Sequence, residues 1–227
     1  EGQGSRMTLR AIRNDGFVLD TVNLAPLPVL PTDGTVNAAS FTASVAPGGL
    51  ISIFGSQLAG EEAQAANVPL PTALAGVSVT LNGRRIPLLF VSGSQINAQL
   101  PFDVVGPATL RVTSANGNSA EVPLTIAEMA PAIFAGAVLH ADGTPVSASS
   151  PVEPGEFLSV YVTGLGRVEG EIAAGQAAPA SPLLRTRTPV EALLSGAPLP
   201  TSFAGLAPGF VGLYQVNLQL PPVLGDG

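Results

Sequence analysis

An internal repeat constrains this chain more than any other feature. Val45-Ala-Pro47-Gly48-Gly-Leu50-Ile-Ser52-Ile-Phe54-Gly-Ser-Gln-Leu58 returns as Val152-Glu-Pro154-Gly155-Glu-Phe157-Leu-Ser159-Val-Tyr161-Val-Thr-Gly-Leu165, with Pro, Gly, Ser and Leu held at one offset (154 − 47 = 107). A second echo is sharper: Gln95-Ile-Asn97-Ala-Gln99-Leu-Pro101 matches Gln215-Val-Asn217-Leu-Gln219-Leu-Pro221, and Val77 to Gly83 corresponds to Val190 to Gly196. The strands in this second echo alternate polar with apolar residues, the period of a β-strand with one buried face. Two copies of one β unit follow, and 227 residues suit two β-sandwich domains better than one.

Composition agrees. Hydrophobic residues make up 46% and charged residues 11%, with 26 Gly and 22 Pro spread along the chain, a pattern of short strands and tight turns rather than disorder. The net charge of −7 disfavours nucleic acid and anionic membrane as partners, since both need a basic surface. All nine basic residues are Arg, which excludes Schiff-base chemistry, a Lys general base and Walker-type phosphate binding. Absent Cys removes disulfides and thiolate metal sites, and no apolar run reaches the length of a membrane span. The sequence opens without Met or an n-region, so the expectation is a mature exported protein, extracellular or on the cell surface.

The ends of the two copies differ. In the first, the Gln-Asn-Gln strand is followed by a hairpin, Ala108 to Ile126, turning at Asn116-Gly117; in the second it is followed only by Pro222 to Gly227. The matching hairpin sits at the front. Two runs rich in Leu, Ile and Val flank Asn14-Asp15-Gly16, a strong hairpin signal because such residues tolerate positive φ. Thr8-Leu9-Arg10 matches Thr109-Leu110-Arg111, and Asp15-Gly16 matches Asn116-Gly117, at a common offset of 101 (109 − 8). Residues 25–35 carry three prolines at near-alternate positions and read as a semi-rigid, polyproline-like spacer.

The resulting division is a donor hairpin at 1–24, a Pro-rich linker at 25–35, a first domain at 36–128 and a second at 129–227 that lacks its last hairpin. Two geometries reunite hairpin and vacancy. The hairpin folds back on its own second domain, a circular permutation, or it completes the second domain of a neighbouring copy, as in donor-strand complementation. A third reading makes the chain one register of a longer array. The exchange between copies is favoured, because the spacer holds the hairpin away from its own body and an unfilled sheet exposes an edge. The donor residues are Met7, Leu9, Ala11, Phe17, Leu19 and Val22, with their inward set undetermined; the acceptor edge is placed at Tyr214, Val216, Leu218 and Leu220.

Several motifs also carry a family resemblance: Val36-Asn-Ala-Ala-Ser-Phe41, Ala46 to Ser56, Leu70 to Thr80, Gln95 to Pro101, Thr163-Gly-Leu-Gly166 and Ala204 to Gly209 with Gly212 to Asn217. In this order they resemble the uncharacterised C-terminal domain of large secreted Acidobacteria (Solibacter-type) proteins, over about Val36 to Gly227. The resemblance implies export and paired immunoglobulin-like β-sandwiches, and no established activity.

Chemistry-bearing residues are sparse. His140 is the only histidine, so a zinc site or a histidine relay lacks its second member, and it reads as a hairpin-flanking residue. Glu61-Glu62 and Glu169/Glu171 read as solvated pairs, Gly164 to Gly170 has the wrong spacing for a nucleotide loop, and the Asp-Gly turns read as Asx turns rather than calcium loops. Gln95, Asn97, Gln99 and their second-copy matches read as loop-bonding or solvent-facing residues. No catalytic, cofactor or metal residues are expected. The expected fold is all-β, two tandem immunoglobulin-like sandwiches with the N-terminal hairpin closing the second. The expected function is a non-enzymatic subunit of an extracellular filament or surface assembly with itself as head-to-tail partner; surface glycans or other envelope proteins are further candidates. The alternative is a monomeric, permuted adhesion or ligand-binding module.

Overall fold

The computed structural model describes residues 7–223, and among them there are strands and turns but no helix. β1 (Met7–Ile12) and β2 (Val18–Leu24) pair antiparallel into the hairpin that the Asp-Gly signal predicts. Gly16 takes φ +87°, and its amide donates to the Arg13 carbonyl at 2.8 Å. The Asp15 carboxylate accepts from the Phe17 amide at 3.1 Å and from the Arg13 guanidinium, which holds the carboxyl below its usual range. The Pro-rich spacer does not run free. Val29 and Ser56 exchange two backbone hydrogen bonds at 2.9 and 3.0 Å, and Leu30 packs on the core of the first half.

The first half is a closed pair of sheets. Its strands are β3 (Thr35–Asn37), β4 (Leu50–Phe54), β5 (Ala63–Gln64), β6 (Ser78–Leu81), β7 (Arg84–Arg85), β8 (Leu88–Val91), β9 (Gln95–Gln99), β10 (Gly106–Ser114), β11 (Gly117–Asn118) and β12 (Val122–Ile126). One sheet runs β3-β4-β9-β8-β5; the other runs β11-β10-β6-β7, with β12 also on β10. Alternation along the strands sends Ile51, Ile53, Ile96 and Ala98 from the first sheet against Val79, Leu81, Leu110 and Val112 from the second. Each of these eight is 1% exposed or less.

The second half repeats the first sheet. β13 (Ala132–His140), β14 (Phe157–Thr163), β17 (Thr201–Leu206) and β18 (Tyr214–Gln219) form a sheet in the order β13-β14-β18-β17, while β15 (Ala192–Leu194) and β16 (Ala197–Leu199) pair only with each other. The repeat extends to hydrogen bonds. Asn97 Oδ1 accepts from Ser52 Oγ at 3.0 Å and Gln95 Nε2 at 2.8 Å; Asn217 Oδ1 accepts from Ser159 Oγ at 3.2 Å and Gln215 Nε2 at 2.8 Å. Gln99 and Gln219 each donate to the carbonyl of the Pro-Gly turn, at Gly48 and Gly155. The polar ladder thus ties strands and turns together.

One expectation is corrected here. Tyr214, Val216, Leu218 and Leu220 do not form an acceptor edge, because β18 lies inside its sheet, paired with β14 on one side and β17 on the other. All four side chains are buried. They belong to the core, and the open edge lies elsewhere.

The halves interlock through single buried groups. The Tyr214 hydroxyl donates to the Gly166 carbonyl at 2.6 Å with the Pro47 carbonyl 3.3 Å away, and burial pushes the phenol upward. The Leu50 amide donates to Thr163 Oγ1 at 2.8 Å, the Gly175 amide to Gln99 Oε1 at 2.6 Å, and Asn37 Nδ2 to the Ala130 carbonyl at 3.0 Å. The Gly164-Leu-Gly166 motif serves this packing. Both glycines have positive φ, and a Cβ on either would collide with the carbonyl oxygen of Ala130 or Glu128.

His140 flanks a hairpin, as the sequence suggests: its carbonyl and amide close the Asp142-Gly143 turn. Its ring also joins Glu156 Oε1 through Nδ1 and faces the Ser150 carbonyl through Nε2 at 3.1 Å. The Glu156 hydrogen bond raises the imidazole, and the Glu153 amide followed by His140 lowers the Glu156 carboxyl. The histidine contribution to stability is therefore full below its unfolded value, about 6.5, and is lost as pH rises through the higher folded value; the glutamate contribution is full above about 4.3 and is lost as pH falls through the lower folded one.

Two outcomes follow. His140→Gln flattens the decline in melting temperature that the parent shows on raising pH from about 6 to 8. Tyr214→Phe, which leaves the Gly166 carbonyl without its donor, lowers urea-unfolding stability by about 1–3 kcal/mol.

Candidate assembly site

The hairpin reproduces the register of its first-half counterpart. Leu9 stands opposite Val22 and Met7 opposite Leu24; in the β10–β12 pair Leu110 stands opposite Val122 and Ala108 opposite Leu124. The offset is 101 on one strand (110 − 9) and 100 on the other (122 − 22), so the cross-strand pairs coincide. Ala108, Leu110 and Val112 are buried. Their matches Met7, Leu9 and Ala11 share one face of β1 and are exposed. Among the described residues, β1 and β2 pair with no other strand.

That register sorts the predicted donor set. Met7, Leu9 and Ala11 fall on the face equivalent to the buried face of β10, with Val22 across from Leu9. Phe17 precedes β2 at the hairpin tip, where the Arg13 guanidinium lies 5.5 Å from its ring centroid. Leu19 falls at a register shift in β2, left without a cross-strand partner between Val18 opposite Ile12 and Asp20 opposite Ala11.

The matching vacancy is the free edge of β15. In the first half β6 is held between β7 and β10, with Leu81 opposite Leu110 and Val79 opposite Val112. β15 and β16 are the counterparts of β6 and β7 at an offset of 113 (194 − 81), down to the shared positive-φ turns Asn82-Gly83 and Ser195-Gly196. β15 has its β16 neighbour and no counterpart of β10. The side chains register the loss: Leu81 is 1% exposed and Leu194, its match, 40%. The opposing sheet feels it too. Leu158, Val160, Val216 and Leu218 are 5–7% exposed, where Ile51, Ile53, Ile96 and Ala98 are 0–1%.

Val190, Ala192 and Leu194 thus hold the positions of Val77, Val79 and Leu81 without the β10 neighbour, a candidate acceptor surface that the sequence reading missed. The signal was present, since Val77 to Gly83 had been matched to Val190 to Gly196. Transferring the first-half register puts Leu9 opposite Leu194 and Ala11 opposite Ala192. An unpaired strand edge of this kind suits strand addition. Among the described residues, no group of three or more His, Asp or Glu converges as a metal site.

No protein-family profile matches the chain, and no curated protein does. Two solved structures bear a loose likeness. One, crystallised with xylogluco-oligosaccharide, is 16% identical with a TM-score of 0.29 over 88% of this chain. The chain spans 36% of its length. The other is SGBP-B from a complex xyloglucan utilization locus in Bacteroides uniformis, 11% identical with a TM-score of 0.30, covering 100% of this chain and 76% of that one. Likeness at this level carries no argument about ligand or role.

The same sequence position in the two hairpins should respond differently to truncation. Leu110→Ala costs about 2–5 kcal/mol in chemical denaturation, whereas Leu9→Ala, measured on dilute protein, stays within about 0.5 kcal/mol of the parent.

Proposed function

We propose that this chain is a non-enzymatic module of the cell exterior that associates head to tail, the β1–β2 hairpin of one copy completing the second half of the next. The observation that carries the reading is the coincidence of registers: the hairpin has the cross-strand pairs of β10–β12, and β15 lacks the neighbour that β10 provides to β6. Exposed apolar side chains on both surfaces supply the driving force, at about 25 cal/mol per Å² removed from water. Main-chain pairing along β15 adds register, as in strand-addition complexes. Donation between copies is favoured over closure within one chain because Val29 and Leu30 fasten the spacer to the first half. The interface joins two different surfaces, so it propagates unless rotation closes a ring, and a filament or surface array is the natural product. The resemblance of the motifs quoted above to a domain of secreted Acidobacteria proteins fits such a location.

A second reading is a surface ligand-binding module. It draws on a cavity of about 720 Å³ lined by Phe102 and Asp103 of the first half and Arg167 and Arg187 of the second.

Absence of Cys makes the assembly reading easy to test. Leu9→Cys and Leu194→Cys, made on separate chains and mixed under mild oxidation, form a disulfide-linked heterodimer, because opposed residues on adjacent strands lie within disulfide reach. Neither variant links to Leu81→Cys. A doubly substituted chain that links only within itself, eluting as a monomer at high concentration, supports the permuted form instead. Absence of any link in either format sinks both forms of hairpin completion.

A further inference from the structure

The cavity between the halves contains an arrangement that packing does not explain. Val168 and Thr186 form an antiparallel bridge and are both buried. The same register (168 + 186 = 167 + 187) sets Arg167 directly opposite Arg187, whose amide donates to the Arg167 carbonyl at 2.9 Å. Like charges facing each other across a strand pair are destabilising, and this chain has only nine basic residues against sixteen acidic ones. Both guanidinium groups are nevertheless fixed in place. Arg167 Nε donates to the Phe102 carbonyl at 3.3 Å and Arg187 Nε to the Val168 carbonyl at 2.9 Å.

The neighbouring acids offset the pair only in part: the Asp103 carboxyl, held below its usual range chiefly by the Arg84 hydrogen bond, also feels the Arg167 charge. Asp103 is engaged by Arg84 through both carboxylate oxygens, and none of the ion pairs among the described residues includes Arg167 or Arg187. The cavity adjoins a second space of about 350 Å³ that shares the Phe102 and Asp103 wall and is bordered by Arg84 and Arg85. Four of the nine arginines therefore gather at one junction of an acidic chain.

We propose that Arg167 and Arg187 form a carboxylate clamp for an oligosaccharide bearing uronic acid groups, an inference that rests on the ligand-binding reading above. Two guanidinium forks with their Nε groups anchored leave terminal nitrogens to grip a planar carboxylate, and the bound anion relieves the repulsion between them. Glu171 and Gln176 line the same cavity and supply acceptors for sugar hydroxyls; the Glu171 charge opposes a doubly charged phosphate. Phe102 offers an apolar wall, and the adjoining space admits a ligand longer than one ring.

Calorimetric titration of the full chain with trigalacturonate, against a neutral galactose trimer, tests this. The uronate binds at least about tenfold more tightly than the neutral sugar, and its affinity falls as salt is raised. Arg167→Ala and Arg187→Ala each lose about tenfold or more, Arg187→Lys recovers only part of the loss because it keeps charge without the fork, and Arg111→Ala, a charge-matched change on a distant strand, loses nothing. Arg187→Gln serves in place of an alanine variant that fails to fold by circular dichroism. Equal binding of both sugars overturns the clamp and leaves the ligand-binding reading standing; binding of neither overturns both. Tighter binding of inorganic phosphate or an oligoglutamate peptide than of the uronate overturns the sugar assignment.

Discussion

A β-sheet with one apolar face is stable only when another layer covers that face, and the contrast between the two halves traces to where that cover is present and where it is missing. In the first half β6, β10 and β12 lie over β4, β8 and β9, and the strand interiors are shut from water. In the second half the lower sheet is built from the same sequence elements and bonded by the same Ser-Asn-Gln ladder, but only β15 and β16 sit above it. The residual exposure of Leu194, Leu158 and Leu218 is the uncovered remainder. The hairpin at the front carries the complementary excess of apolar surface.

Much of this was legible in the residues themselves. Asp15-Gly16 announced a hairpin because its backbone demands are local, and the Pro-Gly and Gln-Asn-Gln echoes announced a duplicated all-β unit because alternation needs no tertiary information. The position of the vacancy was not legible in the same way. Sequence order suggested that the hairpin belongs beside the strand it follows, which put the acceptor at Tyr214 to Leu220. In the first half, however, the chain leaves β9 and crosses to the other sheet, so β10 pairs with β6, a strand some thirty residues earlier. Adjacency along the chain and adjacency in a sheet diverge at such a crossing, and no local pattern marks it.

The paired arginines were hidden for a related reason. Arg167 and Arg187 are twenty residues apart and lie in segments rich in Gly and Pro that carry no strand alternation. Only the short bridge at Val168 and Thr186 brings them face to face. The Gly164-Leu-Gly166 motif, which superficially suggested a phosphate loop, instead permits close backbone approach at the junction. Its positive-φ glycines act as spacers of zero width between two packed bodies.

The junction has one more consequence. Hydrogen bonds tie the halves at four places, from the Tyr214 hydroxyl to the Pro47 carbonyl, from the Leu50 amide to Thr163, from the Gly175 amide to Gln99 and from Asn37 to the Ala130 carbonyl, while the hairpin joins the first half through the residues before the Val29 bridge. Any association through the hairpin would therefore be transmitted through that short segment. Pro28 is buried and the Leu27 side chain lies against Gly117 of β11, so the point from which the hairpin departs is set by the first half rather than by a free linker.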